Sequence, residues 1–245
     1  MTSGNYLVFD IETVARPIEE FDSSQQEYLL RGATTEEEIQ QKISQFALSP
    51  FTGKIASIGL LYMSMFNEEW NEIKIGSYTL DESMEDGEER IGILPLTGAE
   101  VKYYNEKTLL ENFWEIFKKS NPHLISFNGR NFDSPFLMLR SGILGVRPTR
   151  NLMEGTKFNY PHHYDLIDEL SFYMNDRIGP ARKFNLDFYT KAFGIESPKT
   201  KEVNGSMVSE LFYQGKIEEI ADYCLKDIRA TWELFLKWQK FLQFS

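Results

Sequence analysis

The stretch "NYLVFDIET", Asn5 to Thr13, decides how the chain is read. Its apolar run is that of a buried strand, yet it ends in Asp10 and Glu12, one residue apart. Side chains two apart on a strand share a face, so two carboxylates stand within a few ångströms of each other. Like charges at that range repel unless a proton or a cation intervenes. A strand end reaching solvent explains the pair equally well, and D-x-E arises often by chance.

The last helix sharpens the question. Laid on a helical wheel from Ile217 to Phe241, the sequence puts Glu218, Glu219, Asp222, Lys226, Arg229, Glu233, Lys237 and Lys240 on one side. Ile217, Ile220, Ala221, Cys224, Ile228, Trp232, Phe235 and Trp238 fall on the other, with Asp227 as the one charge among them. A buried carboxylate costs several kcal/mol unless paired, protonated or bound to a metal. Tyr223 lies one turn earlier, within reach of the same point. The plainer readings are a buried salt bridge for Asp227 and an ordinary amphipathic tyrosine for Tyr223.

A third segment, "HLISFNGRNFDSPFL" from His123 to Leu137, runs from a short strand through an Asn-Gly turn into a helix. Asp133 stands at that helix start, where an N-cap is also expected. Asn128 reads equally as a turn former and Phe132 as a core aromatic.

Between these segments, five strands are expected. They are Asn5 to Ile11, "GKIASIGLLYMSM", "WNEIKIGSYTL", "HLISF" and "HHYDLI". The second and third join near "FNEE", and the first three form an antiparallel meander. Helices are expected from Thr34, with Thr and Glu at capping-box spacing, from Asn105, from Pro135, and over most of the chain after the fifth strand. Arg16 to Gly32 reads as irregular, and "DESMEDGEER", Asp81 to Arg90, as a solvated acidic loop. His162 and His163 read as a loop pair beside the fifth strand. Strands that start as a meander and continue through helical crossovers imply an α/β fold with a mixed sheet and helices on both faces.

The chain has 245 residues, 42% of them hydrophobic, and a formal charge of -11. That balance argues against a protein that coats nucleic acid with a basic surface. Residues 121 to 201 nevertheless carry eleven Lys and Arg against eight Asp and Glu, which allows a short phosphate contact. Cys224 is the only cysteine, so a disulfide within the chain and a thiolate cage are excluded, and any metal must sit mainly on oxygen. No long apolar run or signal-like N-terminus is present, so the expectation is a cytoplasmic protein with no membrane association.

The three segments together resemble the DEDD superfamily of 3′-to-5′ exonucleases. "FDIET" is similar to its first motif, "FNGRNFDSPFL" to its second and "YCLKD" to its third. Tyrosine four residues before the last Asp, with Asp at position 222, places the pattern in the tyrosine branch (DEDDy). "GKIASIGLLY", "YDLIDELSF", "LDFYTKAFGI" and "NGSMVSELF" look like the predicted exonucleases related to the proofreading domain of family B DNA polymerases. The departure is a longer segment between the first two strands, about residues 14 to 52, with an acidic stretch where a basic one is expected.

The resemblance implies a ribonuclease H-like fold with a five-stranded mixed sheet, and a single exonuclease domain over 1–245 that stands alone. It implies two divalent cations, Mg²⁺ or Mn²⁺, on Asp10, Glu12, Asp133 and Asp227, with Asp10 bridging them. Tyr223, a poor base at neutral pH, would orient the attacking water. Thr13, Asn128 and Phe132 would contact the terminal nucleotide, and the partner would be the 3′ end of single-stranded DNA or RNA. A catalytically inactive nucleic-acid-binding or protein-interaction module on the same fold is the alternative. It leaves Asp227 in an apolar arc unexplained.

Overall fold

The computed structural model describes residues 3–174, 178–196 and 207–244. Its strands are β1 (Gly4–Ala15), β2 (Gly53–Phe66), β3 (Glu69–Leu80), β4 (Arg90–Ile93), β5 (Glu100–Tyr104), β6 (His123–Ser126) and β7 (His163–Asp165). They form one mixed sheet in the order β4-β5-β3-β2-β1-β6-β7. The described helices are α1 (Ser23–Leu29), α2 (Glu36–Ser44), α3 (Glu106–Lys119), α4 (Asp133–Ile143), α5 (Leu166–Leu170), α6 (Leu186–Ala192), α7 (Val208–Tyr213) and α8 (Ile217–Phe241). None of the described helices is long and apolar enough to cross a membrane.

The α/β, ribonuclease H-like reading holds, with seven strands in place of the five expected. The additional pair is β4 and β5, which flank a turn and extend the sheet at the β3 edge. The meander is as expected: β1, β2 and β3 pair antiparallel. Asn67 and Glu68 take left-handed φ values of 51° and 64° at the β2–β3 hairpin, as a tight turn matched to strand twist requires.

Alternation along β1 divides the core. Leu7, Phe9 and Ile11 join Phe113 and Trp114 of α3 and Phe136 and Leu137 of α4 on one side. Tyr6 and Val8 meet Ala221, Leu225, Ile228 and Phe235 of α8 on the other. Asp10 and Glu12 continue the second set toward α8. Gly59, opposite Asp10 on β2, makes that approach possible: a Cβ there would lie 2.6 Å from Ile228 Cδ1 and 2.9 Å from Cys224 Sγ.

Residues 16–52 are more ordered than their sequence implies. Within the stretch expected to be irregular, α1 opens with a capping box between Asp22 and Gln25. The second capping box, Thr35 with Glu38, opens α2 as expected. Phe21, Phe46 and Ala15 form a small separate core. Tethers to the sheet come from Thr13 Oγ1, which donates to the Ala47 carbonyl, and from the Arg16 N–H, which donates to that of Thr52.

Candidate active site

β1 pairs with parallel β6 only through Tyr6, Leu7 and Val8. Beyond Val8 the chain after β6 turns away at Asn128 and returns as α4, so the edge of β1 faces a helix start instead of a strand. There the Ile11 N–H donates to Asp133 Oδ1 at 2.9 Å across 122 residues of sequence. Asp133 is therefore the first residue of α4 and not its cap. Phe132 holds the cap position and makes no side-chain cap bond.

Asp10, Glu12 and Cys224 each present a ligand-type atom, and these lie within 4.8 Å of one another. The Cys224 thiol lies 3.5 Å from the Asp10 carbonyl oxygen and 3.7 Å from its Oδ2. The lone cysteine thus borders the carboxylates, although the chain cannot build a thiolate cage. One turn along α8 from Tyr223 comes Asp227, and the tyrosine hydroxyl hydrogen-bonds to its carboxylate. A β-bulge in β2 follows the Glu12 pairing, and such bulges re-aim side chains beside functional sites.

The electrostatics confirm that these groups crowd one another. Burial, then the charges of Asp133, Glu12 and Asp227, push the Asp10 carboxyl well above its usual range. Burial, then Asp227 and Asp133, do the same to Glu12. Burial lifts Asp133 to about 7, against the Ile11 N–H that holds it down. Burial and the three carboxylates Asp227, Glu12 and Asp10 raise the Tyr223 phenol, so it stays protonated. Burial and the charges of Asp10, Glu12 and Asp227 also raise the Cys224 thiol. No Lys or Arg bridges Asp10, Glu12 or Asp133 among the described residues. Hard oxygen donors held together at this cost are a donor set that suits a divalent cation.

The remaining expected residues lie nearby with varied commitments. The Thr13 hydroxyl donates to the Ala47 carbonyl at 2.7 Å, and its backbone is paired opposite Ile55 in the β1–β2 ladder. Asn128 sits at φ 67°, and its Oδ1 accepts from the Asn131 amide. Phe132 is half-buried, 5.7 Å from the Phe136 ring.

Two carboxylates were misjudged or overlooked in the sequence. Asp222, placed on the polar face of α8, is fully buried and accepts from the Leu96 N–H, the Thr97 N–H and the Thr97 hydroxyl. The wheel places it beside polar neighbours, and its partners lie more than 120 residues away. Asp165, at the end of β7, accepts from the N–H groups of Asn128 and Arg130 at 2.7 and 2.9 Å. It thereby fixes the turn that carries Asn128, Phe132 and Asp133. The signal for it was a carboxylate at a strand-to-helix junction in "YDLIDELSF". His163 is likewise no loop residue: it opens β7, is buried, and shares a hydrogen bond with Ser126 Oγ. Its imidazole is lowered to about 3, first by burial, then by Arg130 and Arg150.

A mixed ribonuclease H-like sheet in which the interior strand β1 ends among clustered carboxylates defines the class of fold. Within it, the pattern of the family described as "predicted 3'-5' exonuclease related to the exonuclease domain of PolB" matches residues 75–243, and the chain belongs to that family. The matched span carries Asp133, Tyr223 and Asp227; Asp10 and Glu12 precede it. Of the segments quoted for this resemblance, "NGSMVSELF" lies partly outside the described residues.

Similar curated proteins include a DNA polymerase of Thermococcus aggregans, 30% identical over 141 residues, covering 53% of this chain and 8% of that protein. DNA polymerase 1 of Pyrococcus abyssi is 29% identical over 141 residues, covering 53% of this chain and 18% of that one. The chain thus spans under a fifth of the length of these relatives. Among solved structures, the family B DNA polymerase of Pyrobaculum calidifontis superposes with a TM-score of 0.55 at 16% identity, over 98% of this chain and 25% of that one. E. coli exonuclease I in complex with a dT13 oligonucleotide gives a TM-score of 0.48 at 15% identity, over 96% of this chain and 41% of that one.

Proposed function

We propose that this chain is a divalent-cation-dependent 3′-to-5′ exonuclease, one domain over its 245 residues, that releases nucleoside 5′-monophosphates from the 3′ end of single-stranded DNA or RNA. The observation that carries the reading is the meeting of carboxylates from three distant segments at one strand end. Asp10 and Glu12 come from β1, Asp133 from α4 and Asp227 from α8. Burial first and then mutual repulsion raise the first two, and cations are the partners that remove that cost.

Asp10, Glu12, Asp133 and Asp227 would hold two such ions, Mg²⁺ or Mn²⁺. When bound, the ions supply positive charge to the attacking and leaving oxygens of an in-line displacement at phosphorus. The charges of Asp133, Glu12 and Asp227 all act on Asp10, which would suit it to serve both ions. Asp133 has one oxygen fixed against β1 by the Ile11 N–H, and its charge acts on both Asp10 and Glu12. Tyr223 keeps its proton, which it donates in a hydrogen bond to the Asp227 carboxylate, so its hydroxyl oxygen would orient the attacking water as an acceptor and not as a base. Asn128 and Phe132, at the turn before α4, face the terminal nucleotide, and Thr13 would contact it from β1.

The test is a 5′-labelled single strand incubated with the intact chain and Mn²⁺. The expected product is a ladder that shortens from the 3′ end in one-nucleotide steps and disappears with Asp10→Ala. The absence of a ladder with the intact chain, or an undiminished ladder with Asp10→Ala, overturns the proposal.

A further inference from the structure

Cys224 is the one group in the carboxylate cluster that the exonuclease reading leaves idle. Its seat is made by the approach of α8 to β2: a Cβ on Gly59 would stand 2.9 Å from Cys224 Sγ, so only glycine leaves room for the sulfur. From there the thiol lies 3.7 Å from Asp10 Oδ2 and 3.5 Å from the Asp10 carbonyl oxygen.

A buried cysteine is ordinarily a small apolar filler. Two observations separate this one from that role. Sγ forms a triangle with a carboxylate oxygen of Asp10 and one of Glu12, all within 4.8 Å of one another. Glu12 is 9% exposed and, among the described residues, its carboxylate accepts no hydrogen bond; the charges of Asp227 and Asp133 press on it instead. A buried carboxylate without a donor, turned into the triangle that holds the sulfur, calls for a positive ligand. The thiol hydrogen does not answer it, because that hydrogen is directed at Asp10.

The spacing suits one class of ion. Zn²⁺ sits about 2.3 Å from sulfur and about 2.0–2.2 Å from a carboxylate oxygen, so a tetrahedral ion on both holds them roughly 3.6 Å apart. Sγ and Asp10 Oδ2 already stand 3.7 Å apart. Hard ions such as Mg²⁺ and Mn²⁺ gain little from sulfur, and they leave the thiol protonated with its hydrogen on Asp10. A thiophilic ion gains enough to displace that hydrogen. The S–H bond breaks, a sulfur–metal bond forms with both electrons from sulfur, and the proton passes to solvent.

We infer that Cys224 is a soft ligand of this site, joining Asp10 and Glu12 around a thiophilic divalent cation such as Zn²⁺ and leaving the hard ions to the carboxylates. The assignment rests on the exonuclease reading for its consequence. A tetrahedral ion on three protein ligands keeps one open position, too few for both the attacking water and a phosphate oxygen. Soft-ion occupancy therefore stops a nuclease that hard ions drive.

The experiment titrates Cd²⁺ into the metal-free full chain and follows the thiolate-to-metal charge-transfer absorption in the ultraviolet. Cys224 is the only cysteine, so any such band reports it. The band should saturate at about one equivalent, be absent from Cys224→Ser, and weaken in Glu12→Gln, which keeps the sulfur. By calorimetry, Zn²⁺ should bind the intact chain about tenfold or more tighter than Cys224→Ser, whereas Mn²⁺ affinity should differ less than about twofold. Repeating the Zn²⁺ titration in buffers of different ionisation enthalpy should show about one more proton released by the intact chain. In Mn²⁺, Zn²⁺ should arrest laddering by the intact chain at about tenfold lower concentration than it arrests Cys224→Ser.

A folded wild type that gives no band at saturating Cd²⁺ overturns the assignment without recourse to any variant. Equal Zn²⁺ affinities of the intact chain and Cys224→Ser do the same. So does a band that Glu12→Gln leaves unchanged, because the ion would then sit on the sulfur outside the triangle. The two readings fail separately. Laddering in Mn²⁺ without a Cd²⁺ band keeps the exonuclease and removes the soft ligand. A band from a chain that cleaves nothing keeps the ligand set and removes the exonuclease.

Discussion

Two sets of carboxylates lie buried or, in the case of Asp10, half-buried in this molecule, and they are treated in opposite ways. Glu106 is held by both arms of the Arg140 guanidinium, at 2.8 and 2.7 Å, and by the Ile55 N–H. Asp222 takes three donors from residues 96 and 97, and Asp165 takes three backbone N–H groups. Each has the donors that a buried charge requires. Asp10 and Glu12 instead have carboxylates as their main neighbours, and these raise them further. Satisfied carboxylates fix the frame, and the frame holds the crowded ones in a state that a cation relieves. Burial alone does not separate the sets, because Asp165 is also lifted, to about 6; the number and sign of the neighbours does.

The sharpest way to break this division is to exchange outcomes between its two sides. Asp10→Asn should lower turnover by about 10³-fold or more while the metal-free protein melts no lower than wild type, since a repelled charge has been removed. Arg140→Met, which leaves Glu106 buried without its cation, should cost about 3–5 kcal/mol of stability, with kcat per folded molecule retained. Chemical denaturation and single-turnover assays on the same preparations check both. A destabilised Asp10→Asn with near-normal turnover would place Asp10 in the frame.

How far this division was legible beforehand depends on the range of the interactions. Asp10 with Glu12, and Tyr223 with Asp227, are local pairs, so strand and helix periods brought each to attention. The bounds of α8 also follow from its apolar arc, Ile217 to Phe241. Asp133 was ambiguous because a capping Asp and a site Asp occupy the same place in sequence; only the 122-residue reach to the Ile11 N–H separates them. Asp222 was misread for the same reason, since its donors at 96 and 97 leave no local trace. β4 and β5 are four and five residues long, too short to show a strand period, so neither was expected, while the acidic run before them is a loop as expected up to Glu89. α1, "SSQQEYL", has no apolar stripe; its capping box was the one available signal.

A smaller effect tests the division of labour within the crowded set. Tyr223→Phe removes the hydroxyl bonded to Asp227 and leaves the carboxylates in place. Turnover should fall about 10²-fold, the cost of a misplaced reacting group, and Mn²⁺ affinity by calorimetry should change less than twofold. A large loss of Mn²⁺ affinity would move Tyr223 from orienting the water to assembling the cage. Unchanged turnover would remove it from the reaction.

The smallest effect lies in pH dependence, and its sign is the informative part. Burial holds the Asp133 carboxyl at about 7 in the folded chain, against roughly 3.9 when unfolded. A raised folded value means that its contribution to stability is complete below about pH 4 and is lost as pH rises through about 7. Asp133→Asn keeps an oxygen for the Ile11 N–H and carries no such proton, so it escapes that loss. In a chelator, the variant should match wild type near pH 4 and exceed it by about 1–2 kcal/mol near pH 8, or roughly 2–8 °C in Tm. His163 titrates alike in both proteins and cancels in the difference, whereas Asp10 and Glu12, which the Asp133 charge helps to raise, are relieved in the variant and widen the gap in the same direction. With Mn²⁺ the order should reverse near pH 8, because the ionised carboxylate gains a partner that the amide cannot replace and binding stabilises the folded state. Parallel melting curves in chelator would return Asp133 to the satisfied set. A gap that Mn²⁺ leaves unchanged would show that its charge is buried for some purpose other than holding a cation.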